Sequence, residues 1–319
     1  MKIDVTASLP HYYDHMLPIF EQLPERLRGN VLELETPCRY PTRNRVAMVA
    51  GYIDAKRLQA SNPMIYVEHG AGQAYLGDPK TATLPSYSGG VSRHRSIIGY
   101  VCPSVAVAER WAPTPAVAAG CPKMDRWIFT EPKVPRSVCF AWHWDAGERR
   151  TLSPEMRSAW AHWQPVLGHL ANIFRNEGWL VFGHAHPRWG GTLRKPMEAA
   201  GLTVLDADAE VFDNVGVLFV DNSSIGYEFA LLSRPTFWMN APWYRRDVHH
   251  GLRFWDMVPG IQFDHPSDLY GLTLDEWIKY SVDERRPVIP DVYAPWSQLG
   301  EAASRAAEWI TELIDSKYA

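Results

Sequence analysis

The feature that most constrains the fold of this chain is the alternation, from residue 138 to residue 239, of short apolar runs with stretches of helical periodicity. Val138 to Trp142, Trp179 to Phe182, Leu202 to Leu205, Val215 to Val220 and Thr236 to Met239 read as strands. Ser153-Pro154-Glu155 marks a helix start, with Ser as cap and Pro in the first turn, and Met156, Trp160, Trp163, Leu167, Leu170 and Phe174 follow at helical spacing. Pro165 is placed to kink that helix and Gly178 to stop it. A shorter helix ends before Gly201, and another runs from about Ile225 to Leu232. Near-continuous apolar strands separated by helices imply a mostly parallel sheet covered on both faces, and ligands of such sheets bind where strands end and loops begin.

The first half carries further short strands, Ile3 to Ala7, Val31 to Leu34, Val46 to Ala50, Ile65 to Val67 and Ile97 to Val101, ending in loops rich in Gly, Pro and His. A length of 319 residues suits two domains of about 150 residues each. Pro132-Lys133-Val134-Pro135-Arg136 separates the halves, which gives an N-terminal domain over 1–134 and a second domain over 135–296. The remaining residues, 297–319, form a C-terminal helix with Leu299, Ala303, Ala306, Ile310 and Leu313 on one face, suited to packing near the domain junction.

Composition removes several functions. With 46% hydrophobic and 21% charged residues the chain is globular rather than disordered. A net charge of −4 without a Lys/Arg-rich run gives no support for an extended nucleic-acid surface. No apolar stretch reaches the roughly 18 residues of a membrane span, and Met1 to Ala7 leads into Pro10 without the basic start and apolar run of a signal peptide. Cys38, Cys102, Cys121 and Cys139 show no CxxC spacing, which fits free thiols in the cytoplasm. There is no GxGxxG and no GxxxxGK[ST], so the common dinucleotide and NTP-hydrolysis readings lose support.

Four loops carry the chemistry. In Glu68-His69-Gly70-Ala71-Gly72 an imidazole at a strand end suits a general base, and the glycines allow close approach; a plain turn histidine is the alternative. His184-Ala185-His186-Pro187-Arg188 offers two imidazoles and a forked donor to phosphate oxygens. A metal ranks below phosphate there, because no carboxylate or cysteine stands at a recognisable spacing, and a solvated loop is the third option. Asp221-Asn222-Ser223-Ser224 opens the helix that contains Glu228; its amides and hydroxyls suit an anion and Glu228 a ribose or other diol, although Asn222 or Ser223 also suits a plain helix cap. His143-Trp144-Asp145 follows the first strand of the second domain, with Trp142 or Trp144 available to stack on a base or to pack in the core.

Taken in order, these loops resemble the CDP-glycerol glycerophosphotransferase family of teichoic-acid-type transferases. Glu68-His69-Gly70-Ala71-Gly72 looks like its Trp-His-Gly-Thr-Pro loop, Gly120 to Asp125 like its Gly-x-Pro-Arg-x-Asp segment, and His184-Ala185-His186-Pro187 like its Arg-x-His-Pro. Asp221-Asn222-Ser223-Ser224 with Glu228 and Arg234-Pro235 resembles its Asp-Tyr-Ser-Ser, acidic residue and Lys/Arg-Pro pair; Pro259-Gly260 and Asp268-Leu269 extend the match. Ala71-Gly72 in place of Thr-Pro, and His184 in place of a basic residue, depart from the pattern. The resemblance implies a GT-B fold, two Rossmann-like α/β domains with a cleft between them. It implies His69 as base on an acceptor hydroxyl and His186 at the donor phosphates with Ser223 and Ser224, while His184, Arg188, Asp221 and Glu228 complete the donor site. No metal or separate cofactor enters; the nucleotide-activated donor, CDP-glycerol or a sugar nucleotide, is a substrate. A glycosyltransferase using a UDP-, GDP- or CDP-sugar and a non-catalytic nucleotide-sugar-binding protein are the alternatives.

Overall fold

The computed structural model describes residues 1–33, 45–58, 62–69, 96–109, 111–143, 158–186, 190–244, 258, 260–285 and 298–318. The chain divides into two compact units, one formed by Met1–Ile128 with Pro290–Ala319 and the other by Phe129–Ile289.

In the first unit, strands β1 (Lys2–Ala7), β2 (Arg28–Glu33), β3 (Arg45–Val49), β4 (Met64–Val67), β5 (Ile97–Cys102) and β6 (Ala116–Ala118) form one sheet in the order β2-β1-β3-β4-β5-β6. Every pairing is parallel. Every residue of β4 and β5 is buried, as strands covered on both faces require. Helices α1 (Pro10–Gln22), α2 (Tyr52–Leu58) and α3 (Val105–Glu109) follow β1, β3 and β5. Pro10 occupies the first turn of α1, where its missing N–H costs nothing, and Tyr12, His15, Met16 and Ile19 form its buried face. Met16 and Ile19 pack with Ile3, Val5, Met48, Ile65 and Val67 in the core of the unit.

The second unit repeats the plan. Strands β7 (Val134–Trp142), β8 (Leu180–Ala185), β9 (Thr203–Leu205), β10 (Val215–Val220), β11 (Thr236–Met239) and β12 (Ile261–Phe263) lie in the order β12-β11-β10-β7-β8-β9, all parallel. The Pro132 to Arg136 segment runs into β7, and the division of the chain falls a few residues before it. Helices α4 (Trp160–Asn176), α5 (Gly190–Ala199), α6 (Asp208–Asn214), α7 (Ile225–Ala230) and α8 (Leu274–Arg285) complete the unit. The helix start expected at Ser153 lies outside the described residues; α4 continues through Pro165 and ends where Gly178 takes φ +85°. Much of the aromatic content is core: Phe140, Phe219, Phe237 and Phe263, one from each of four neighbouring strands, stand in a row with successive ring centroids 5.2, 4.8 and 5.8 Å apart.

Arg234, from the Arg-Pro pair, is buried and donates to the carbonyls of Phe212 at 2.5 Å, Val215 at 3.0 Å and Thr130 at 2.9 Å. Burial pushes its guanidinium pKa down to about 10. It precedes β11, at the edge opposite the C-terminal strand ends, and ties the entry strands of the sheet together.

The last helix, α9 (Ala302–Tyr318), belongs to the first unit, so the C-terminal residues close that unit instead of forming a separate element. Ala306, Ala307, Ile310 and Ile314 enter its core. Gly99 of β5 makes room for this helix, since a Cβ there would lie 2.7 Å from both Trp309 and Leu313. Asp125, the last residue of the Gly120 to Asp125 segment, accepts the free amides of Ala302 at 3.1 Å and Ala303 at 2.7 Å. A cap of this kind contributes about 1 kcal/mol. Burial raises the Asp125 carboxyl pKa, and the two amide bonds and Arg305 oppose that shift. Among the described residues no helix is long and apolar enough to cross a membrane.

Candidate functional site

In the second sheet the chain moves outward from β7 through β8 to β9, then crosses to the other side of β7 with β10 and continues through β11 to β12. Connections leaving β7 and β10 therefore run in opposite directions, and the ends of these two strands diverge into the crevice where open α/β sheets bind ligands.

Asp221 holds this crevice in shape. It is fully buried; Oδ1 accepts the backbone amides of His143 at 2.8 Å and Ser223 at 3.2 Å, and Oδ2 accepts the Ser158 hydroxyl at 2.5 Å and the Ala159 amide at 3.1 Å. One carboxylate thus joins the end of β7, the approach to α4 and the loop after β10. Ser158 passes the order on by accepting the Trp160 amide at 3.1 Å. Three amides and a hydroxyl on a charged acceptor make this a strong local tie, with its oxygens committed inside the unit.

The structure brings His143 and His186 together at the ends of adjacent strands, with ring centroids 5.8 Å apart and planes at 67°. The His186 amide donates to the Trp142 carbonyl at 2.9 Å, which continues the β7–β8 ladder and fixes where His186 leaves the sheet. His184, expected beside the donor phosphates, is engaged elsewhere: Nδ1 lies 3.0 Å from the Leu205 carbonyl and Nε2 3.0 Å from Asp208 Oδ1. It binds β8 to the turn between β9 and α6. Arg188, Trp144 and Asp145 lie outside the described residues.

The loop after β10 differs in detail from a capped helix. Helix α7 has six residues, its N-cap position is Ser224, and no side chain makes a cap bond. The amides of Gly226, Tyr227 and Glu228 bond to the Ser223 and Ser224 carbonyls. Ser223 and Glu228 are buried and Ser224 is half-buried. Gly226 lets the helix lie against the sheet, since a Cβ there would fall 2.4 Å from the Trp238 ring and 2.6 Å from Val220.

In the first unit the corresponding divergence lies at the ends of β1 and β3. Here Asp54, buried on α2, accepts the Ser8 amide at 2.9 Å, tying the two strand ends together as Asp221 does in the other unit. His69 follows β4, half-buried, with its ring 4.7 Å from that of Tyr12 in an edge contact and 6.1 Å from that of His15. Gly70, Ala71 and Gly72 lie outside the described residues. Tyr12 and His15 escaped the sequence reading; their signal was the spacing of Tyr12, His15, Met16 and Ile19, which marks one face of a helix. The two ring contacts restrain the His69 imidazole and leave it partly accessible.

The chain matches no protein-family model and no curated protein. Its fold has many solved counterparts. The wall teichoic acid polymerase TagF superposes with a TM-score of 0.59 at 14% identity, over 100% of this chain and 90% of that one. The UDP-GlcNAc 2-epimerase of Methanocaldococcus jannaschii, in complex with UDP-GlcNAc and UDP, gives a TM-score of 0.60 at 12% identity, over 98% of this chain and 100% of that one. The UDP-N-acetylglucosamine 2-epimerase of Rickettsia bellii gives 0.56 at 11%, over 99% and 96%. At these identities the likeness is one of architecture: the chain has the α/β fold of the GT-B class, two Rossmann-like units each built on a six-stranded parallel sheet.

Proposed function

We propose that this chain is a transferase that takes glycerol phosphate, or a related polyol or sugar group, from a CDP-linked donor and passes it to a hydroxyl acceptor. The observation that carries the reading is the convergence of His143, His186 and the Asp221 to Ser224 loop at the divergent strand ends of the second unit. Likeness of fold to the TagF polymerase supports it. In this reading the second unit holds the donor: His186, Ser223 and Ser224 serve the phosphates, Arg188 assists, and Glu228 accepts from the ribose hydroxyls. Asp221 and His184 position these groups from inside the fold. His69, on the first unit, takes the proton of the attacking hydroxyl as the bond to the nucleotide breaks, and the leaving phosphate is stabilised by the imidazole and hydroxyl donors. Chemistry of this kind places the protein in the cytoplasm, where nucleotide-activated donors are made.

A sugar nucleotide is the second reading, and the M. jannaschii epimerase in complex with UDP-GlcNAc and UDP, on the same fold, favours it. Calorimetric titration with CDP-glycerol and with UDP-, GDP- and CDP-sugars separates the two. We expect a CDP-linked compound to bind most tightly, and Ser223→Ala with Ser224→Ala, or Glu228→Ala alone, to weaken it by about 10-fold or more, the worth of one or two hydrogen bonds to charged groups. Absence of binding by any nucleotide-linked donor would contradict the proposal.

A further inference from the structure

We infer that Asn222 is the residue that reads the hydroxyl-bearing group of the donor, as distinct from its phosphates; this rests on the donor site proposed above. Asn222 is 1% exposed, stands directly between Asp221 and Ser223 at the end of β10, and among the described residues neither its Nδ2 nor its Oδ1 has a hydrogen-bond partner. The fold treats its other buried asparagines differently. Asn240, at the end of the neighbouring β11 and equally buried, donates to Asp264 at 2.7 Å and to Gln262 at 3.3 Å. Asn62 donates to the Arg45 carbonyl at 3.1 Å.

A buried carboxamide with both ends unpaired destabilises the fold, and such a group persists where a ligand completes it. The chemistry of the amide selects the ligand. Phosphate oxygens accept hydrogen bonds at neutral pH and would satisfy Nδ2 alone, leaving Oδ1 orphaned. A hydroxyl both donates and accepts, so a polyol or sugar hydroxyl satisfies both ends of Asn222. The loop thereby divides its work, Ser223 and Ser224 serving the diphosphate and Asn222 the group it carries.

The test compares Asn222→Leu, which keeps the branched shape without polar atoms, and Asn222→Ala, which cannot obstruct the site, with the wild type. Each is titrated with the free nucleoside diphosphates and with the same diphosphates carrying glycerol or a sugar, and each is melted without ligand. Both variants should bind the free diphosphate within about twofold of the wild type and bind the substituted donor about 10- to 100-fold more weakly, the loss of two neutral hydrogen bonds. The ligand-free Asn222→Leu protein should melt no lower than the wild type. Equal weakening of both ligands, or a donor affinity left unchanged as it would be with a trapped water as the sole partner, overturns the inference. So does a melting point lowered by more than about 5 °C, which would mark a structural amide. If the wild type takes up none of these compounds, the donor site itself falls and this inference with it; if the wild type binds and the variants bind equally, the inference falls alone.

Discussion

His69→Ala abolishes transfer, with kcat lowered by about 10²- to 10⁴-fold, the usual cost of losing a general base, while donor affinity stays close to that of the wild type. The separation follows from the architecture: His69 leaves β4 of the first unit, whereas the proposed donor ligands all lie at strand ends of the second. Tyr12 and His15 flank its ring from α1 and do not replace it, because His15 is buried at 4% exposure, out of reach of an acceptor hydroxyl. Free imidazole restores part of the rate if the lost function is proton transfer. Turnover at the wild-type level in His69→Ala, with saturating substrates, would remove His69 from the mechanism.

Asp221→Ala is the most damaging single change to the fold of the second unit. It strips the acceptor from three buried backbone amides, those of His143, Ala159 and Ser223, and from the Ser158 hydroxyl. Removing a buried, hydrogen-bonded charge of this kind costs about 3–5 kcal/mol, which at roughly 2–4 °C per kcal/mol lowers the melting midpoint by about 10 °C. Asp221→Asn keeps one acceptor for His143 and Ser223 but places a second donor against Ser158 and Ala159, so its loss should be intermediate. Thermal unfolding of the two variants orders them; an Asp221→Ala protein as stable as the wild type would show that the carboxylate does not organise the crevice.

Much of the sheet was written locally. Val215 to Val220 and Thr236 to Met239 fold as read, because an unbroken apolar run with β-branched and aromatic residues has few alternatives. The elements that escaped are those whose signal is short or interrupted. Strand β6 is only Ala116-Val117-Ala118 and gains its place from pairing with β5. Helix α1 carries Pro10, His11 and Pro18, which disguise its apolar face. The C-terminal helix was legible as a helix, but not its destination, which depends on Asp125 accepting its amides from 177 residues away in sequence. The candidate site divides the same way. His69, His186 and the Asp221 to Ser224 loop stand out because polar residues interrupt apolar runs at strand ends. That His184 turns to Asp208, and that Asn222 caps nothing, follow from parallel pairing and burial, which no local pattern encodes.

The most direct test of the central claim is a crystal structure of the chain with a nucleotide-linked donor bound. The diphosphate should lie at the C-terminal ends of β7, β8 and β10, in contact with His186, Ser223 and Ser224, with Glu228 on the ribose and Asn222 on the transferred group. A nucleotide seated instead in the first unit, around Asp54 and His69, with the Asp221 to Ser224 loop untouched, would contradict it.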